Sequence, residues 1–154
     1  MFTGIIEELA EVIALKKEGR NIHFSLSSAI TNDLKIDQSV AHNGVCLTVV
    51  DIQNDIYTVT AIDETLKKSN LRYLELGNQV NIERSIKMGA RIDGHMVQGH
   101  VDQTAICTEV KECNGSFLFT FEYEDLGNII VEKGSICVNG VSLTVVNSKD
   151  NYFS

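Results

Sequence analysis

Asn43-Gly44-Val45-Cys46-Leu47-Thr48-Val49-Val50 returns as Asn139-Gly140-Val141-Ser142-Leu143-Thr144-Val145-Val146, 96 residues later and with one substitution. A second match extends the first: Met1 to Val12 lies over Met96 to Cys107 at an offset of 95, setting Gly4 on Gly99, Ile6 on Val101 and Ala10 on Ala105. Two separated stretches at nearly one offset mark a duplicated unit, and the period is that of a small domain. The division falls at residues 1–93 and 94–154. The first copy continues past Tyr57-Thr58, whereas the second stops at Phe153-Ser154, so residues 59 to 95 have no partner. A second unit without its closing strands exposes unpaired backbone groups. A shortened chain is therefore expected, or else another chain supplies the edge.

Between turn signals the pattern alternates: Ile22-His23-Phe24-Ser25-Leu26, Ile56-Tyr57-Thr58-Val59-Thr60, Val80-Asn81-Ile82-Glu83 and Phe117-Leu118-Phe119-Thr120-Phe121. Period two over short β-branched and aromatic runs predicts half-buried strands. The sequence has no proline, so Asn-Gly, Gly and Asp must make the turns. Ser28 to Leu34 and Glu64 to Leu71 read as short helical segments, with Thr31 and Asp63 as local caps. The fold class is all-β: two similar six-stranded antiparallel Greek-key barrels, the second incomplete.

A formal net charge of -8 argues against nucleic acid or anionic membrane as partner. Glu7, Glu8 and Glu11 interrupt the apolar start, so no signal peptide is read and a soluble, cytoplasmic protein is expected. Cys46, Cys107, Cys113 and Cys137 show no metal-binding spacing.

The repeated strand carries the chemistry. Residues two apart share a face, so Cys46 and Thr48 project opposite to Val45, Leu47 and Val49; Ser142 and Thr144 project opposite to Val141, Leu143 and Val145. One face is core. The other pairs a small nucleophilic atom with a threonine hydroxyl, a donor and acceptor set suited to a flat heterocycle. In Gly94-His95-Met96-Val97-Gln98-Gly99-His100, continuous extension would send the two histidines to opposite faces, which argues against metal chelation and leaves His100 as an acid or base group. Gly99 permits close backbone approach to a ligand. Glu64 and Thr65 follow a strand, where a helix start offers free backbone N–H groups.

These residues resemble a known family. The opening Met1-Phe2-Thr3-Gly4-Ile5-Ile6-Glu7, the His42-to-Val50 block, Asp63-Glu64-Thr65-Leu66, Gly94-to-Val101 and Asn139-to-Val145 are together similar to the alpha chain of riboflavin synthase. The resemblance implies two lumazine-binding barrels and a trimer built by a C-terminal helix; with no counterpart of that helix in this sequence, a dimer or monomer is an equal expectation. It implies a dismutation in which two 6,7-dimethyl-8-ribityllumazine molecules exchange a four-carbon unit, giving riboflavin and a ribitylaminopyrimidinedione, with no cofactor. By motif match, Gly4, Ile5, Ile6, Cys46, Leu47, Thr48, Thr60, Ala61, Ile62, Asp63, Glu64 and Thr65 line a first site. Gly99, His100, Val101, Lys133, Ser142, Leu143 and Thr144 line a second. Ser142, Thr144 and His100 are the proton-handling candidates, and Cys46 polarises or adds to the acceptor. The rival of a different class is a lumazine- or flavin-binding antenna protein on the same barrels.

Overall fold

The computed structural model describes residues 1–154. The first unit closes on itself. Strands β1 (Glu8–Glu18), β2 (Asn21–Ser27), β3 (Ser39–His42), β4 (Val45–Gln53), β5 (Ile56–Ala61) and β6 (Gln79–Arg84) form a barrel in the order β1-β2-β5-β4-β3-β6, every pairing antiparallel. The predicted alternation sets its interior: Tyr57, Val59 and Ala61 point inward with no exposure, joined by Phe24, Leu26, Val40, Val49, Val80 and Ile82. Six strands suffice to close around side chains of this size with no edge left over.

The second unit repeats the plan with five strands. β7 (Ile106–Glu112), β8 (Phe117–Glu122) and β11 (Tyr152–Phe153) form one sheet, and β9 (Ser135–Val138) with β10 (Val141–Thr144) a hairpin beside it. The two pieces are joined where Val146 and Ser154 exchange backbone hydrogen bonds of 2.7 and 2.8 Å. No strand bridges β9 back to β7. Residues that would face a closed core are consequently open: Val110 is 56% exposed, Phe119 40% and Leu143 39%. Leu143 thus departs from its expected core position because nothing in this chain covers that side. Phe121 stacks on Phe153 at 5.3 Å between ring centroids and supplies the local core.

The duplication reaches backbone detail. A register shift falls between Val12 and Ala14 on β1 and between Cys107 and Glu109 on β7, and both bulges bend the strand at the same place. Asn43-Gly44 takes φ of 47° and 83°, Asn139-Gly140 49° and 85°, the paired positive values of a two-residue hairpin turn. The segments expected to be helical are shorter than predicted. Thr31–Asp33 is one 3-10 turn; α1 (Asp63–Lys68) is followed by a second such turn over Asn70–Tyr73. Asp63 is the first helical residue and not a cap, since Ile62 precedes it without a side-chain capping bond.

One buried polar pair crosses the barrel. His42 Nδ1–H donates to the Val40 carbonyl at 3.1 Å, which leaves Nε2 to accept from the Tyr57 hydroxyl at 2.9 Å. Burial pushes the His42 imidazole down to about 4, with the Val40 bond opposing the shift, so the folded protein holds it neutral. The stability it contributes is complete above the ordinary value near 6.5 and is lost as pH falls toward 4, in all about 3 kcal/mol. Urea unfolding at pH 7.5 and 4.5 should therefore show a pH difference smaller by about 2–3 kcal/mol in His42→Gln than in the parent. An equal acid-induced loss in both would refute the assignment.

Candidate functional site

The two repeated strands meet across a pseudo-two-fold axis. Phe2 and Val97, equivalent in the repeat, pair with each other: Phe2 N–H donates to Val97 O at 2.7 Å and Val97 N–H to Phe2 O at 2.9 Å. From that bridge each lead-in strap runs onto the other unit. Ser142 N–H donates to Gly4 O at 2.7 Å, and Cys46 N–H to Gly99 O at 2.8 Å. The sequence reading placed Gly4, Ile5 and Ile6 with Cys46, and Gly99, His100 and Val101 with Ser142; the structure crosses these groups. Gly4 belongs with Ser142 and Gly99 with Cys46. Val101 packs on the first barrel's core, and Ile6 lies against Gly140.

The crossing has a local cause. Within the ladders, β3 pairs with β4 over Val45–Thr48, whereas β5 pairs with β4 only from Val49 onward, past another bulge. The first half of β4 keeps one flank for another partner, and the strap takes it at Cys46. Gly4 and Gly99 make that approach possible. They sit at φ of +75° and +82°, and a Cβ on them would fall 2.8 Å from the Ser142 Cβ and 2.7 Å from the Cys46 Cβ.

Each ledge is half open. Cys46 and Ser142 are half-buried while Thr48 and Thr144 beside them are exposed. Leu47 and Ala61 point into the core, 6% and 0% exposed, so any contact they make with a ligand is through the backbone. Thr60 Oγ1 is 2.8 Å from His23 Nδ1 on β2. Asp63 pairs with Lys67 at 2.6 Å and with Arg20 at 3.9 Å, Glu64 with Lys68 at 3.7 Å, while Ile62 is 53% exposed and Thr65 half-buried. Ile5 is exposed. Lys133 occupies a positive-φ turn before β9 and ties its N–H to Val145 O at 2.9 Å, at the end of the hairpin remote from Asn139-Gly140.

The two ledges differ in what backs them. Ser142 Oγ lies 2.7 Å from His95 Nδ1, a hydroxyl and an imidazole in direct hydrogen bond. The sequence offers His100, not His95, as the acid or base group; the positive φ at Gly99 also interrupts the continuous extension on which the opposite-face reading of the two histidines depends. His100 itself is exposed, next to the Gly99 carbonyl that receives Cys46. Cys137, opposite Ser142 on β9, has its thiol pushed up by burial, with a Gly140 backbone bond opposing and the Glu83 charge adding. One cavity, of about 540 Å³, is lined by Val101, Cys107, Phe121, Val145 and Phe153, the hollow of the open second unit, and extends to His95, Gly99 and His100, though to neither Cys46 nor Ser142.

The duplicated unit with its two polar ledges is matched by the lumazine binding domain family over residues 3–85 and 98–154 of the chain. Among curated proteins, the chain is 40% identical to riboflavin synthase of Bacillus subtilis (strain 168), over 94% of this chain and 68% of that protein, and 38% identical to that of Bacillus amyloliquefaciens, over 97% and 71%. Among solved structures, LumP complexed with 6,7-dimethyl-8-(1'-D-ribityl) lumazine superposes with a TM-score of 0.89 at 22% identity, covering 99% of this chain and 84% of that one; LumP with riboflavin gives 0.89 at 24%, with the same coverage. The chain belongs to the riboflavin synthase family of lumazine-binding proteins, a family of transferases. No helix is long and apolar enough to cross a membrane.

The strap geometry predicts which glycines resist substitution. Gly99→Ala places a methyl against Cys46 at a left-handed backbone position and should destabilise by about 2 kcal/mol or more. Gly19→Ala, also at positive φ but with no atom near its Cβ, should cost about 1 kcal/mol. Equal shifts in thermal midpoint for the two variants would contradict the close approach.

Proposed function

We propose that the chain is a cytoplasmic riboflavin synthase, catalysing the dismutation of two 6,7-dimethyl-8-ribityllumazine molecules to riboflavin and 5-amino-6-(D-ribitylamino)uracil. The observation that carries this reading is the pair of pseudo-symmetric ledges, Cys46 under Gly99 and Ser142 under Gly4, alike in backbone and different in reactive atom. Two like ledges suit two like ligands. The unlike atoms suit two unlike roles.

On the Ser142 ledge, the imidazole Nδ1 of His95 accepts from the hydroxyl, so the pair can take a proton from the C7 methyl of one lumazine and leave a carbanion conjugated with the ring. On the Cys46 ledge, the thiol or a water adds to the electrophilic carbon of the other lumazine. The carbanion attacks that ring to form one carbon–carbon bond, a second carbon–carbon bond closes the new six-membered ring, and the two carbon–nitrogen bonds that held the four-carbon unit to the donor break, so the unit passes from donor to acceptor. The proton returns and the added nucleophile leaves. Two C13 molecules give one C17 and one C9 product with every hydrogen accounted for, so no external oxidant or reductant enters. Holding both rings in register supplies effective molarity, which for well-oriented pairs is worth several kcal/mol. His100 and Thr48 stand where they can meet the ring at Cys46, Thr144 at Ser142. The strands' backbone groups hold the pyrimidine edge, and the two rings meet between barrels of different copies in a homo-oligomer.

The likeness to LumP in complex with lumazine and with riboflavin favours a second reading, a ligand-binding protein without turnover. Incubation with 6,7-dimethyl-8-ribityllumazine separates the two. Growth of riboflavin fluorescence is the expected result; tight binding with unchanged lumazine emission would establish the binder. Ser142→Ala and His95→Gln should each lower kcat by about 10²-fold or more with affinity held within about threefold, the size of a general acid–base contribution. Parallel losses in kcat and affinity would remove these residues from the chemistry.

A further inference from the structure

We infer that Glu83, a first-barrel residue, is a positioning residue for the second ledge: it fixes the Thr3–Gly4 strap and, through it, His95 and Ser142. The inference deepens the proposed function and rests on its assignment of those two residues as the reacting pair.

Glu83 lies on the outward face of β6, between inward Ile82 and the partner strand β3, where a carboxylate ordinarily meets water. It is 5% exposed instead. No cationic side chain pairs with it. A buried carboxylate without a counter-ion is costly unless donors replace its water, and here all the donors come from the strap. Thr3 N–H and the Thr3 hydroxyl both donate to Oε1 at 2.6 Å, and Gly4 N–H donates to Oε2 at 3.0 Å. Charge-assisted bonds of this kind are about twice as strong as neutral ones.

The same two residues turn their acceptors to the second unit. Gly4 O receives Ser142 N–H at 2.7 Å, and Thr3 O receives His95 N–H at 3.0 Å. Thr3 and Gly4 therefore have donors on Glu83 and acceptors on the backbone of the two residues whose side chains meet at 2.7 Å. The strap lies close against the second unit at this point. A Cβ on Gly94 would fall 2.0 Å from Thr3 O, and one on Gly4 2.8 Å from Ser142 N. Just beyond, Arg84 fastens the strap's far end: its Nε and Nη2 donate to the Glu7 carboxylate at 2.9 and 3.1 Å. Burial alone would raise the Glu7 carboxyl; the Arg84 bonds outweigh it and hold Glu7 below its usual range. Glu83 has no contact of this kind with the Gly99 strap, so the Cys46 ledge serves as an internal control.

The test is Glu83→Gln, which keeps the shape but sets an amide N–H₂ or a single carbonyl where two oxygens accepted. Amide hydrogen exchange of Ser142 should quicken on the order of 10- to 100-fold, while Cys46 and the barrel amides of Val59 and Ile82 stay within about threefold. Riboflavin formation should fall in kcat with a smaller change in KM. Thr3→Val, which removes one of the three bonds and serves if Glu83→Gln does not fold, should show the same contrast at reduced size. Equal quickening at Ser142 and Cys46, or full turnover with Ser142 loosened, would overturn the inference. If the parent chain forms no riboflavin, the synthase reading fails, and the exchange contrast still decides whether Glu83 clamps the strap.

Discussion

The exchange of lead-in straps is the constraint on which the rest depends. Each barrel strand that carries the reactive atom gives its N–H to a glycine carbonyl that the chain reaches from the opposite copy. Neither ledge is finished by its own unit. The β4–β5 ladder stops at Val49 and would leave backbone groups of the first half of β4 to water; the strap turns that open flank into an inter-unit joint. The two straps meet at the Phe2–Val97 bridge, and beyond it each is held by its own contacts, Thr3 and Gly4 by Glu83 and Gly99 by Cys46 N–H.

Symmetry of backbone then makes difference of side chain informative. At the repeated positions φ values agree within a few degrees, bulges coincide and hydrogen bonds match, so Cys46 and Ser142 are presented alike. What separates them is the environment: Ser142 has an imidazole at 2.7 Å, while the Cys46 thiol makes no hydrogen bond. A hydroxyl is a poor base unless a neighbour takes its proton, and on the proposed reading that is the part His95 plays at Ser142.

The architecture was legible because its signals are local. Alternation in Ile56-Tyr57-Thr58-Val59-Thr60 marked a half-buried strand, whose inward face is Tyr57 and Val59, and Asn-Gly twice announced a tight turn that needs positive φ. The repeat supplied the duplication. The strap crossing was not legible, because strand patterning says which face a residue shows and nothing about which copy flanks it. His95 was not legible for a related reason: its partner Ser142 lies 47 residues further along the chain, and only the strap contacts bring the two together. Glu83 looked like an ordinary outward charge in Val80-Asn81-Ile82-Glu83, and only the strap lying over it shows otherwise. The helical segments were overextended because Ser69 ends α1 in an extended conformation that their apolar spacing did not encode.

The second unit shows why the joint matters for stability as well as for geometry. A two-stranded hairpin such as β9–β10 is marginal in water by itself, and here no sixth strand flanks it. Its order comes from the first barrel. Ser142 is held by Gly4, the Asn139 side-chain oxygen accepts from Asn70 at 2.9 Å, and the Asn139 carbonyl accepts from Asn81 at 2.9 Å. The Asn43-Gly44 and Asn139-Gly140 turns touch so closely that a Cβ on either glycine would meet the other's backbone nitrogen at 2.9 Å. Contacts of this kind fix orientation as well as distance, since backbone groups cannot rotate away as side chains do. The closed barrel thus acts as the template on which the open unit's reactive strand is set, and the precision of the Ser142 ledge is inherited from the rigidity of its neighbour.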